Sequence, residues 1–303
     1  MLTYRFRCAF SGRVLAAAFC VTFFSFVFVP DVVWGAPFIV NEWNAVKSSK
    51  QLDDGDTFFG TIDGNGGNWI ELLVIEDHLD VRGWKLAWTE DEDEDGTPAG
   101  NSAGEIIFSN AALWSDLRAG TLVTLIEKND AGGFDTSTDT SFDPFANDWT
   151  INVATREEQA KGVAGLLQTT TNDGSPGDFS VGQKDWSITI FDDAMNSIFG
   201  PVGEGEASWQ GDGIGKSEAG SLEGPGATAT LADWQAVSPS SNFYDDTSSS
   251  SFGGYNVDFS GGAFTQIQDP SALQGLVVPE PSSVGLLSIA LLMLARRKQR
   301  ACV

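Results

Sequence analysis

Three features of the sequence predict an all-β protein built as a sandwich. Apolar residues alternate with polar ones over short runs, the runs are bounded by Gly, Asn and Asp, and helical periodicity is scarce. The candidate strands are, in order, residues 39–43, 69–75, 81–88, 105–108, 122–127, 149–153, 186–191 and 198–202. In the first two, Glu42 and Glu71 stand in otherwise apolar surroundings, where a carboxylate needs hydrogen-bond partners. In the third, Trp84, Leu86 and Trp88 alternate onto one face, and Gly83 lets the chain bend before them. Trp186, Ile188 and Ile190 repeat that pattern in the seventh. Only two short helical turns are indicated, one capped by Asn110 and running to Leu117, one starting at Thr155 with Glu157, Glu158 and Lys161. Many short strands joined by Gly-rich turns make a sandwich the expected architecture.

Composition narrows the function classes. Residues 36–278 hold 10 Lys and Arg against 40 Asp and Glu, a net of −30, so nucleic acid and anionic lipid would be repelled. With 21 Phe and 10 Trp in the chain, this acidic body is too apolar to be disordered. The three cysteines, Cys8, Cys20 and Cys302, all lie outside it, so no disulfide, thiol nucleophile or Cys-ligated zinc belongs to the fold.

The termini predict export. Arg5, Arg7 and Arg13 precede an apolar stretch over 14–29, followed by small residues at Gly35 and Ala36, the pattern of a secretory signal peptide over residues 1–35. Cutting after Gly35 avoids placing Pro37 first in the mature chain, and an uncleaved anchor is the alternative. At the other end, Pro279, Glu280 and Pro281 are followed by the uncharged run SSVGLLSIALLMLA and then by Arg296, Arg297, Lys298 and Arg300. About 13 apolar residues make roughly 20 Å of helix, a marginal span against about 30 Å of hydrocarbon, and the cations would stay in the cytoplasm. This order resembles the PEP-CTERM sorting signal of exported bacterial proteins over residues 278–300. The resemblance implies an exosortase-type processing enzyme acting at Pro279, Glu280 and Pro281, after signal peptidase has acted at the other end, and membrane association before processing.

Within the body, Phe38-Ile-Val-Asn-Glu-Trp43, Asn68-Trp-Ile-Glu-Leu72 and Leu79-Asp-Val-Arg-Gly-Trp-Lys-Leu86 resemble the lamin-tail domain. Later landmarks are Asp116-Leu-Arg-Ala-Gly120, Trp186-Ser-Ile-Thr-Ile-Phe-Asp192, Asp233-Trp-Gln-Ala236 and Phe252-Gly-Gly-Tyr-Asn256. The resemblance implies an immunoglobulin-like β-sandwich over 36–257, interrupted by long insertions at 51–67, 90–104 and 129–183, with 258–277 as a linker. Residues after about 129 could form a separate, smaller unit.

Candidate sites are few. Asp91, Asp93, Asp95 and Gly96 match the opening of an EF-hand-like calcium loop, yet the twelfth position falls on Ser102 and no flanking helix is indicated. A solvated loop is the plain reading and weak calcium binding the alternative, as it is for Asp53, Asp54 and Asp56. His78, the one histidine, reads as a turn residue without a nucleophile motif. The Gly-rich runs at 200–205 and 211–215 read as turns, and the Ser tracts at 238–241 and 248–251 as flexible loop. Trp209 and Trp234, in Gly-rich or polar surroundings, are the candidate glycan-binding side chains, for an extracellular polysaccharide. No catalytic residue and no cofactor other than calcium is expected. The sequence thus implies a non-catalytic exported protein of the cell surface or extracellular matrix, with a secreted hydrolase or a calcium- or glycan-binding module as the alternatives.

Overall fold

The computed structural model describes residues 35–91, 101–172, 174–204 and 213–276. Among them the strands are β1 (Phe38–Trp43), β2 (Gly55–Asp56), β3 (Trp69–Val74), β4 (Lys85–Asp91), β5 (Asn101–Phe108), β6 (Leu122–Ile126), β7 (Thr150–Ala154), β8 (Leu167–Thr171), β9 (Trp186–Phe191), β10 (Ser197–Val202), β11 (Ala219–Leu222), β12 (Tyr244–Thr247), β13 (Ser249–Ser250), β14 (Val257–Ser260) and β15 (Ala263–Gln266). Three short helices, α1 (Thr155–Ala160), α2 (Leu231–Gln235) and α3 (Ser271–Gln274), join them, so the described residues are predominantly β. The expected terminal helices, Pro279, Glu280, Pro281, Trp209, Asp93 and Asp95 lie outside the described residues, and Asp91 is described only as backbone at the end of β4.

A six-stranded sheet runs in the order β12-β11-β1-β3-β6-β7, antiparallel except for the parallel pair β6 and β7. A five-stranded antiparallel sheet runs β10-β9-β4-β5-β8. The two pack face to face. Trp43 of β1 stacks on Trp186 of β9 at 5.3 Å, and Phe38 of β1 meets Phe108 of β5 at 5.9 Å. Phe38 and Trp43 are an odd number of residues apart, yet both face the opposite sheet, because the register of β1 against β3 shifts between Val40 and Glu42. Such a bulge adds one residue to the strand and re-aims the side chains beyond it. Asn41 and Glu42 are thereby turned to the other face of the six-stranded sheet, together with Glu71 of β3.

That other face is covered as well. Every residue of β1 and β3 is buried, because a third layer lies on the sheet. It contains the parallel pair of β2 and β13, whose register joins Ser249 to Gly55 and Ser250 to Asp56. Its apolar part is a cluster of Phe59, Trp69, Ile126 and Phe252. A hairpin of β14 and β15 comes next in the chain, turning at Gly261 and Gly262 with φ of 65° and 87°, the left-handed geometry that favours Gly-Gly in a two-residue turn.

Several expectations change. Residues after 129 supply β7 to one sheet and β8, β9 and β10 to the other, so they form no separate unit. The expected linker 258–277 carries the β14–β15 hairpin and α3, and it buries Gln268 and Leu273, which are 1% and 0% exposed. The Ser tract at 248–251 is structural: Ser249, Ser250 and Ser251 are buried and hydrogen-bonded. The third expected strand starts later, at Lys85, because Gly83 at φ 78° turns the chain and Trp84 N–H bonds back to the Val81 carbonyl at 3.1 Å. Asn110 caps no helix; the turn there is a short 3₁₀ segment, Ala112–Ser115, preceded by Ser109, whose Oγ accepts from Ala111 N–H at 3.2 Å. Thr155 does begin α1, whose Glu157 and Glu158 both pair with Lys161.

Candidate functional site

A polar row crosses the covered face of the six-stranded sheet. The registers place Ser221, Glu42, Glu71, Thr124 and Asn152 side by side on β11, β1, β3, β6 and β7. Asp56 of β2 approaches the row from the layer above. Glu42, Glu71 and Asp56 are 1%, 0% and 2% exposed, so this is a set of three carboxylates taken out of water.

Their partners are mostly on the segment 250–253. Glu71 Oε1 accepts from Gly253 N–H at 2.5 Å and from Thr124 Oγ1 at 3.1 Å, while Oε2 accepts from Asn41 Nδ2 at 3.4 Å. Glu42 Oε2 accepts from the N–H and the hydroxyl of Ser251, each at 3.4 Å. Asp56 Oδ2 accepts from Phe252 N–H at 3.2 Å and from the Ser250 hydroxyl. Its Oδ1 accepts from Phe58 N–H at 2.6 Å and Phe59 N–H at 2.9 Å, which fixes the turn that carries those two rings. Amides complete the network: Asn41 Nδ2 donates to Asn256 Oδ1 at 2.9 Å, and Gln268 Nε2 donates to Asn41 Oδ1 at 2.9 Å.

Burial pushes the Glu71 carboxyl up to about 8 despite the three donors around it. Burial also pushes Glu42 well above the ordinary carboxylate range, and the neighbouring charges of Glu71 and Asp56 add to the effect. Both carboxyls are therefore shifted toward keeping their protons as the pH rises. A protonated carboxyl carries no charge, which lessens the repulsion between two glutamates directly opposite each other across a strand pair.

This arrangement is a latch. Glu42 and Glu71 are the polar ties expected of carboxylates in apolar strands, and they tie β1 and β3 to a segment roughly 200 residues later in the chain. A substrate would reach neither carboxylate unless residues 250–253 left first. Nothing in the sequence around Asp56, Asn256 and Gln268 marks them as members of this site; the two isolated glutamates in apolar strands are the only local sign that distant donors had to exist.

The other candidate residues have different fates. Trp234 is a correction: it lies on α2, is 0% exposed and belongs to the main core, so it offers no face to a glycan. Its polar surroundings in the sequence are the helix cap, where Thr230 N–H donates to Asp233 Oδ2 at 2.7 Å. Asp54 accepts from Ser248 Oγ at 2.5 Å and Asp56 is spent on the latch, so this second acidic loop is tied internally. His78 is a half-exposed turn residue at φ 60°, with Nδ1 2.7 Å from Asp116 Oδ1. Among the described residues no group of three or more His, Cys, Asp or Glu is placed to hold a metal ion.

Beside the latch lies an open cleft of about 280 Å³. Phe58 and Phe252 line one side, with Gly253 between cleft and latch, and Asp135, Ser137, Asp139 and Asn152 line the other. Phe58 is 40% exposed although it packs on Phe59, Phe252 and Phe134 at 4.9, 5.2 and 5.6 Å. The opposite wall is stiffened by Asn152 Nδ2, which donates to the carbonyls of Thr136 at 2.9 Å and Ser137 at 2.7 Å.

No family model matches this chain, and neither a curated protein nor a solved structure does.

Proposed function

We propose that this chain is a non-catalytic exported protein of the cell surface or extracellular matrix, acting in adhesion or matrix organisation. In this reading residues 1–35 direct secretion, an exosortase-type enzyme processes the tail at Pro279, Glu280 and Pro281, and the body is a lamin-tail-like, immunoglobulin-like sandwich. The observation that carries the non-catalytic part is the fate of Glu42 and Glu71. Both are fully buried carboxyls raised above their ordinary range by burial, and both are enclosed and occupied in holding the third layer. Glycoside hydrolysis needs two carboxyls flanking a bond in a cleft, and these two flank a segment of their own chain. The acidic body suits a solvated, cation-rich exterior.

The test is to incubate the purified protein with extracellular polysaccharide, with and without calcium, and to measure both bound protein and newly released reducing ends. Binding without new ends supports a surface module. New reducing ends would replace this reading with a hydrolase. Changing Pro279, Glu280 and Pro281 to Ala in cells should leave the protein in the membrane fraction; unchanged release would remove the sorting part.

A further inference from the structure

We propose that the cleft at Phe58 binds a neutral pyranose unit of a polysaccharide. This deepens the matrix-binding reading and rests on it.

The aromatic wall comes first. A phenylalanine that is 40% exposed on a surface is ordinarily free to turn, but Phe58 is held on both sides: its N–H is bonded to buried Asp56 Oδ1 at 2.6 Å, and its ring is backed by Phe59, Phe252 and Phe134. A large apolar face is thus presented to water at fixed orientation, and the C–H face of a sugar ring is the common partner for such a platform.

The polar wall supplies acceptors for hydroxyl donors. Asp135 Oδ1 is occupied by the N–H and hydroxyl of Ser137, at 3.2 and 2.6 Å, and Asp139 Oδ1 by Ser141 N–H at 2.9 Å. The second oxygen of each carboxylate takes no hydrogen bond from the described residues. Asn152 uses both amide hydrogens on the 136–137 carbonyls, and its Oδ1 is enclosed without a donor. Vicinal hydroxyls satisfy the second oxygens of Asp135 and Asp139 in pairs, and a ring with few donors does not; the enclosed Asn152 Oδ1 is out of a sugar's reach.

Charge and size select among sugars. The lining has two carboxylates and no Lys or Arg, so a uronate is repelled and an uncharged hexose is not. The cleft, about 280 Å³, falls just below the roughly 300–1,000 Å³ of pockets for drug-sized ligands, which fits one ring of a longer chain passing across the surface.

The experiment is calorimetric titration of the full exported chain with neutral oligosaccharides (gluco-, manno- and galacto-configured), an oligouronate, and tetramethylammonium as a plain cation probe. At least one neutral oligosaccharide should bind and the oligouronate should not. Phe58→Ala should weaken binding by about tenfold, the loss expected for one aromatic contact, with a lower melting temperature because its ring packs on three others, while Phe58→Leu should keep most of the stability and still weaken binding. Phe58→Trp should retain binding, and Asp139→Asn should weaken it. Absence of binding to every neutral sugar, binding untouched by Phe58→Ala, or equal competition by tetramethylammonium would overturn the proposal. Surface retention in cells is scored separately. A Phe58→Ala protein that is exported and retained but binds no sugar separates this site from the wider reading, whereas a wild-type protein that binds sugar but is never exported removes the wider reading alone.

Discussion

Replacing Glu71 by glutamine separates the pH-dependent cost of the latch from its pH-independent hydrogen bonds. Gln keeps an oxygen for Gly253 N–H and Thr124 Oγ1, gives up the long 3.4 Å contact from Asn41 Nδ2, and loses the ability to ionise. In the native protein the Glu71 carboxyl sits at about 8 against an ordinary value of 4.5. The folded state therefore binds more protons than the unfolded chain between those values, and stability falls as pH rises. The stabilisation from holding the proton is complete below about pH 4.5, is lost progressively through about pH 8, and changes no further above it. At about 1.4 kcal/mol per pH unit the interval amounts to roughly 5 kcal/mol. Glu42, shifted in the same direction, keeps part of the slope in the variant. The assay is urea unfolding at pH 5, 7 and 9. The native protein should lose several kcal/mol from pH 5 to pH 9, and Glu71→Gln should lose clearly less, becoming the more stable of the two at pH 9. Parallel pH profiles for the two proteins, or a flat native profile, would refute the reasoning.

Three further outcomes are expected. Arg118, with a side chain 6% exposed, holds Asp77 through Nε at 2.8 Å and Nη2 at 3.1 Å; Asp77→Asn should cost about 2 kcal/mol in denaturant unfolding, below the roughly 3–5 of a fully buried pair because Asp77 keeps some solvent contact. Burial alone would raise the Asp77 carboxyl, but Arg118 holds it below its ordinary value, so the native protein should lose this contribution as pH falls through that lowered range and the variant should not. Gly220 lies under the Trp43 indole, where an added Cβ would stand 2.1 Å from the ring; Gly220→Ala should cost about 1–3 kcal/mol by overpacking, read as a lower melting temperature. Ending the chain after Val257 removes Gln268 and Leu273 from the interior, and a melting temperature equal to that of the full chain would restore the linker expectation.

The strands that are legible in the sequence are those whose side chains alternate in size and polarity. Residues 186–191 are the clearest, and β9 has those same bounds because Trp186, Ile188 and Ile190 face the core while Ser187 and Thr189 do not. The strands without a sequence signal are short or built of small residues. β11 reads AGSL, all of it buried, with Gly220 chosen for closeness to Trp43 rather than for strand preference. β13 is two serines whose strand character comes from pairing with β2. Trp234 misleads for a related reason: polar neighbours that cap a helix resemble, in one dimension, polar neighbours of an exposed ring. The latch is half legible. Glu42 and Glu71 announce an unmet need, but the donors that meet it are distant in sequence and carry no local signal.

The amides that seal the face of β1 join residues 215 and 227 positions apart. A chain emerging from its amino terminus can form the β4–β5 hairpin and pair β3 with β6 early, but its first strand stays one-sided until nearly the whole body is present. Closing such long loops places this protein among slow folders, with completion waiting on its final segment. A protease that nicked residues 257–268 would accordingly act at a distance, loosening the first strand of the sheet rather than trimming a loose end.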